Sequence, residues 1–103
     1  MNEVEFKKWL TTKGSNKKVQ GDCISRLKRI ERELDHCDLD EEYRNDRCEF
    51  ILGVFRNMGN NDNIKKYPKA NLPIGKYYMS TYRHAIKKYI EFCDDFTVSL
   101  NQK

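Results

Sequence analysis

Two residue types in this sequence are suited to nucleophilic catalysis or metal binding. They are the four cysteines and two histidines: Cys23, Cys37, Cys48, Cys93, His36 and His84. A nucleophilic cysteine works with a histidine base within hydrogen-bond reach, and no cysteine here stands in a glycine-flanked turn that would expose it. Cys23 and Cys93 fall on apolar helix stripes, where a thiol behaves as a small hydrophobic group. The pattern favours spectator thiols, and a Cys–His pair formed by folding stays open at this point.

A zinc site is also disfavoured by the spacing of the candidate ligands. Structural zinc sites use ligand pairs two to four residues apart, whereas His36 and Cys37 are adjacent and Cys48 stands alone. Neither of the glycine-rich phosphate-binding patterns, GxGxxG or GxxxxGK[ST], occurs. We therefore predict no metal, no cofactor and no enzymatic activity.

The other side chains that could bind a ligand are lysines and arginines. The chain has 20 Lys and Arg against 16 Asp and Glu, a net charge of +4 and a pI near 8.9. Residues 17–32 and 65–88 are net basic, whereas residues 35–49 are net acidic, and charge segregated in this way creates a directed field. Lysine and arginine neutralise phosphates and release counterions, which is how proteins hold duplex DNA. The predicted DNA contacts are Lys18, Arg26, Lys28, Arg29, Arg32, Lys65, Lys66, Lys69, Lys76, Arg83, Lys87 and Lys88. The alternative is that these side chains only solvate exposed helix faces.

Four helices must position these cations. The hydrophobic spacing predicts helices over 3–12, from a cap at Ser15 or Asn16 to about residue 35 or 37, over 41–58 and over 76–96. The last helix has an apolar stripe on one side (Tyr78, Tyr82, Ala85, Ile86, Tyr89, Cys93 and Phe96) and cations on the other. Arg47 falls near the apolar stripe of the third helix, where it should snorkel or pair with an acid.

A chain of 103 residues is the size of one domain, which we expect to span residues 1–97 and to leave 98–103 as a tail or the start of a linker. Striped helices joined by loops predict a small all-α bundle. No run of 18 apolar residues and no signal-peptide pattern occurs, so we expect a cytoplasmic protein without a membrane partner, whose cysteines remain thiols.

The order of three motifs resembles that of a known family. They are Phe6-Lys7-Lys8-Trp9-Leu10, Ser25-Arg26-Leu27-Lys28-Arg29-Ile30-Glu31 and Tyr82-Arg83-His84-Ala85-Ile86-Lys87-Lys88-Tyr89-Ile90-Glu91-Phe92. Together they resemble the core-binding domain of tyrosine recombinases and phage integrases. The resemblance implies a four-helix, SAM-like orthogonal bundle that clamps a DNA duplex through its second and fourth helices. The catalytic motifs of those enzymes are missing, so it implies a DNA-binding module for phage-type integration or recombination without cleavage chemistry.

A second function is compatible with the same charges. A small adaptor or inhibitor protein of a phage or mobile element could dock its basic face on an acidic protein partner. Alternatively, its acidic segment 35–49 could mimic nucleic acid.

Overall fold

The computed structural model describes the backbone of residues 1–101 and the side chains of residues 1–96. Within that range the chain forms α-helices and short 3₁₀ turns and no strand, which confirms the predicted all-α class. The helices are α1 (Glu3–Thr12), α2 (Lys17–Glu33), α3 (Leu39–Asp46), α4 (Glu49–Val54) and α5 (Met79–Asn101), with 3₁₀ turns at Arg56–Gly59 and Asn63–Lys66.

The first two helices follow the sequence closely. α1 has the predicted bounds, and it buries Phe6 and Leu10. α2 begins after Asn16, whose side-chain Oδ1 accepts a hydrogen bond from the Val19 amide at 2.9 Å, the usual N-cap geometry. The predicted cap is therefore confirmed, although Val19, which lies four residues before the stripe residue Cys23, is exposed. The helix ends at Glu33, a little before the predicted end.

The continuous third helix predicted for 41–58 is wrong. Arg47 and Cys48 adopt left-handed conformations, with φ of 59° and 63°, and this break separates α3 from α4. The Asp46 carboxylate accepts a hydrogen bond from the Phe50 amide at 3.0 Å and so replaces a helical partner at the start of α4. The break places Cys48 in the core. A second left-handed pair follows at Asn57 and Met58, and Met58, the last residue of the predicted helix, is exposed.

The final helix is displaced toward the carboxyl end relative to its prediction. It starts at Met79 instead of Lys76 and continues past Phe96 through Asn101. Most of the predicted apolar stripe is buried, but Tyr78 and Phe96 are exposed. The predicted tail, 98–103, is therefore helical as far as residue 101, and its last two residues lie outside the described part of the chain.

α5 is the central element of the packing. It packs most extensively against α2 and also contacts α1, α4 and the first 3₁₀ turn. Phe6 of α1 makes edge-to-face and tilted contacts with Tyr89 and Phe92 of α5, with ring centroids 5.0 and 5.4 Å apart. Such pairs add stability beyond the apolar area they bury. The second and last helices are thus neighbours, and their packing creates the groove described below.

Three carboxylates surround the Met1 ammonium group, those of Glu31, Asp38 and Asp40. The Met1 ammonium group lies 3.0 Å from Glu31 and 2.8 Å from Asp38. The Tyr89 hydroxyl donates to Asp40 and accepts from the Asn2 amide.

Among the residues that the structure describes, none of the helices combines the length and the apolar character needed to span a membrane.

Candidate nucleic-acid interface

A groove of about 120 Å³ runs between α2 and α5 and contains two of the predicted DNA contacts. Arg26 of α2 lies on one side, and Lys88 and His84 of α5 lie on the other. Cys23 and Ala85 are buried at the groove, and they contribute its apolar floor. The packing of the two helices therefore brings together cations that are 62 residues apart in the sequence.

Helical spacing explains why these side chains share the groove. His84 and Lys88 are four residues apart, and Arg26 lies three residues after Cys23, so each neighbours its partner on one flank of its helix. The pKa of Cys23, on the floor of the groove, shows that both cations lie close to it. Burial raises the pKa of Cys23 to about 11, while the positive charges of Arg26 and Lys88 both act to lower it.

The charge of the groove is positive but moderate. Asp22 of α2 also lines it, which offsets part of the charge of Arg26 and Lys88. Lys88 additionally pairs with Glu91 at 3.5 Å on the exposed side of α5. Exposed pairs of this kind contribute about 0–1 kcal/mol, so a phosphate could compete for the lysine.

The side chain of Arg29, another predicted contact, forms hydrogen bonds within the protein. Its Nη1 donates to the Tyr82 hydroxyl at 2.8 Å, and its Nη2 and Nε donate to the Asn71 carbonyl at 2.7 and 3.2 Å. Glu33, one turn further along α2, accepts from the Asn71 amide at 2.8 Å. These two side chains hold the segment before α5 against α2.

Three more of the predicted contacts are engaged in exposed ion pairs within the protein. The pairs are Lys28 with Glu3 at 2.6 Å, Arg32 with Glu33 at 3.1 Å and Lys65 with Asp62 at 3.0 Å. Lys66 instead lies over the rings of Phe50 and Tyr67, at 5.0 and 5.7 Å from their centroids. These four side chains keep their charge, but each already makes a contact within the protein.

The other predicted cations do not all face one way. Lys18 and Arg32 are exposed on the side of α2 opposite its buried stripe. On α5, Arg83 and Lys87 lie about 140° and 100° around the helix from Lys88. Lys87 is exposed, whereas Arg83 is half-buried and its Nε atom is buried. The predicted set is therefore divided among the groove, the outer face of α2 and other positions around α5. Lys69 and Lys76 are exposed on the segment that precedes α5.

That segment and the start of α5 form a region without acidic residues. Between Asp62 and Glu91 the chain contains seven lysines and arginines and no aspartate or glutamate. The carboxylates of Glu31 and Asp38 lie instead at the amino terminus, and Asp94 pairs with Arg47, as predicted for that arginine. Acids from elsewhere in the chain still approach this segment, because Glu33 accepts a hydrogen bond from the Asn71 amide at 2.8 Å. The acid-free stretch is therefore a feature of the sequence and not a surface separated from all carboxylates.

The sequence analysis missed two exposed aromatic residues beside this region. Tyr77 is 83% exposed and Tyr78 43%, with ring centroids 5.5 Å apart in an edge-to-face arrangement. Assigning Tyr78 to the apolar stripe was wrong because the helix begins only at Met79. Their position directly after Lys76 was the available signal, since aromatic rings next to cations are typical of single-strand binding surfaces.

The chemistry of the cysteines is that of protonated thiols. Cys23 and His84 line the same groove, but burial raises the pKa of Cys23 to about 11, the opposite of the shift that activates a nucleophile. Burial likewise raises the pKa of Cys37, Cys48 and Cys93 to about 12. The described residues contain no group of three or more metal-ligating side chains.

Comparison of the chain with models of known protein families, with curated proteins and with solved structures finds no match.

Proposed function

We propose that this chain is a DNA-binding module that holds duplex DNA by its phosphates, with the contact centred on the groove between α2 and α5. The observation that carries the proposal is the convergence of Arg26 and Lys88, from two different helices, on one groove. Along the chain, seven cations and no acid lie between Asp62 and Glu91, and they contribute to a net charge of +4. A polyanion therefore meets an attractive field, which raises association rates.

Arg26 and Lys88 are the central contacts in this proposal. Their charges converge on one groove, whereas Arg29 is committed to Tyr82 and Asn71. Lys69, Lys76 and the exposed cations of α2 would extend the contact along the backbone. They add affinity without reading sequence, as phosphate contacts do.

The motif order adds a more specific version of the proposal. In this version the fold is a SAM-like bundle like that of the core-binding domain of tyrosine recombinases, with α3 and α4 together in place of its third helix. The chain would then serve phage-type integration or recombination by binding DNA, without a role in cleavage.

The experiment is a titration of a fluorescein-labelled, random-sequence duplex followed by anisotropy at several salt concentrations. The variant Arg26→Gln/Lys88→Gln should lower affinity about 10-fold to 100-fold and reduce the slope of log K against log salt by about 2. The matched control is Lys7→Gln/Arg44→Gln, which removes the same charge from exposed positions away from the groove. Its affinity should stay within about threefold of wild type.

Two results would reject the proposal. One is the absence of duplex binding at low salt by the wild-type chain. The other is an equal loss of affinity in both double variants, because this would reduce the effect to net charge.

A second candidate function is supported by an exposed apolar patch. Met58, Ile74, Tyr77 and Tyr78 are all large, exposed and close in the chain or in space, since the Gly75 amide donates to the Met58 carbonyl at 2.7 Å. Such patches often mark protein-binding surfaces. If no duplex binds and a purified acidic protein partner is released by Ile74→Asp, the adaptor function replaces the DNA proposal.

A further inference from the structure

Tyr77 and Tyr78 are presented to solvent on an ordered backbone. The Ser80 hydroxyl donates to the Tyr77 carbonyl at 3.0 Å, and the Thr81 hydroxyl donates to the Tyr78 carbonyl at 2.6 Å. The Met79 amide donates to the Lys76 carbonyl at 3.0 Å. These bonds fix the tight turn that leads into α5, so the two rings need little ordering on binding a ligand.

The turn that carries the rings adjoins the groove between α2 and α5. Thr81, which holds the Tyr78 carbonyl, also lines that groove. Thr81, His84 and Lys88 follow one another at steps of three and four, which places them along one side of α5. Tyr77 lies outside the helix, two residues before Met79, so its Cα atom lies within about 22 Å of that of Lys88. One extended ligand can therefore contact both.

The chemistry around the rings favours a nucleic acid over an apolar peptide. Lys76 precedes the rings directly, and the nearest acidic residues in the sequence on either side are Asp62 and Glu91. Exposed aromatic faces beside lysines stack on bases while the cations bind phosphates. Bases within a duplex already stack on each other, so an exposed ring can accept only a base that is unpaired.

We propose that Tyr77 and Tyr78 stack on unpaired bases, so that the preferred ligand is a DNA duplex continued by a single-stranded tail. The inference rests on the proposed function: the duplex lies at the groove, and the tail reaches the tyrosines. The ligand class is therefore a junction between duplex and single-stranded DNA. The turn at residues 76–78 does not line the groove, and its role would be to hold the two rings against the single strand.

The test compares three labelled probes with the wild-type chain by anisotropy: a blunt duplex, the same duplex with a single-stranded tail, and that duplex with an abasic tail. The tailed probe should bind about 5-fold to 100-fold more tightly than the blunt one. The abasic tail carries the same phosphates without bases, so it should bind nearly as the blunt duplex does. This comparison needs no variant and so does not depend on variant folding.

Variants then assign the effect to the ring. Tyr77→Ala should lower affinity for the tailed probe to the blunt level and leave blunt-duplex affinity unchanged. The matched control Tyr77→Phe keeps the ring and should keep the preference. Because Tyr77 is largely exposed, circular dichroism should show the same helical content in both variants.

Failure of the inference can be separated from failure of the proposed function. Equal binding of all three probes by the wild type, or an unaltered preference in Tyr77→Ala, overturns the tyrosine inference and leaves duplex binding intact. Absence of binding to every probe overturns both. If sedimentation shows a dimer that Tyr77→Ala dissociates, a second copy of the chain occupies the rings, which also overturns the inference.

Discussion

Arg29→Lys should lower the free energy of unfolding by about 1–2 kcal/mol although it leaves the net charge unchanged. The guanidinium group makes three hydrogen bonds at 2.7–3.2 Å, one to the Tyr82 hydroxyl and two to the Asn71 carbonyl. A lysine can retain about one of them, and each partly exposed bond that is lost costs about 0.5–1 kcal/mol. The guanidinium also lies 5.7 Å from the Tyr82 ring centroid, a contact that adds about 0.5 kcal/mol.

Urea unfolding followed by circular dichroism measures this loss, and thermal unfolding should show a melting temperature lower by about 5–15 °C. Arg32→Lys is the matched control on the same helix. Arg32 is exposed and pairs only with its neighbour Glu33 among the described residues, so its replacement should change the free energy by less than about 0.5 kcal/mol. Duplex affinity should change little in either variant because the cation remains. Equal stability of the two variants, or a selective loss of DNA affinity in Arg29→Lys, would refute the structural role of Arg29.

Two further predictions concern stability. Gly21 lies inside α2, and a Cβ there would meet no atom within 4 Å, so Gly21→Ala should raise the free energy of unfolding by about 0.5–1 kcal/mol. A lower urea midpoint for this variant would contradict the open surroundings of Gly21. Burial alone would lower the pKa of the Met1 ammonium group, but hydrogen bonds to Asp38 and Glu31 outweigh it and raise the pKa from 8.0 to about 10. The folded pKa is the higher one, so this stabilisation is complete below pH 8 and is lost as the pH rises through about 10. After solvent screening it amounts to about 1 kcal/mol. Glu31→Gln should reduce this loss in urea titrations compared at pH 7 and pH 10, which lie below the Cys37 pKa of about 12 that burial and the charges of Glu42 and Glu31 raise. Equal pH dependence in the two proteins would contradict the assignment.

Local patterns in the sequence were sufficient for α1, α2 and the all-α class. The stripe through Cys23, Leu27 and Ile30 follows from a period of 3.6 residues, and the Asn16 cap needs only the three residues after it. The pairing of Arg47 with an acid also followed from its place beside the apolar stripe, although the sequence did not identify Asp94 as the partner.

Contacts between distant residues decided the remaining features. The apolar spacing of residues 41–58 fits one long helix, and the break at Arg47 and Cys48 comes with a contact to Asp94, 47 residues after Arg47. Likewise, the spacing within α2 makes both Arg26 and Arg29 suitable cations, but the rotation of α2 against α5 sends only Arg26 into the groove. Helical periodicity is fixed within a few residues, whereas the flank that a helix turns toward its neighbour depends on how the whole core packs.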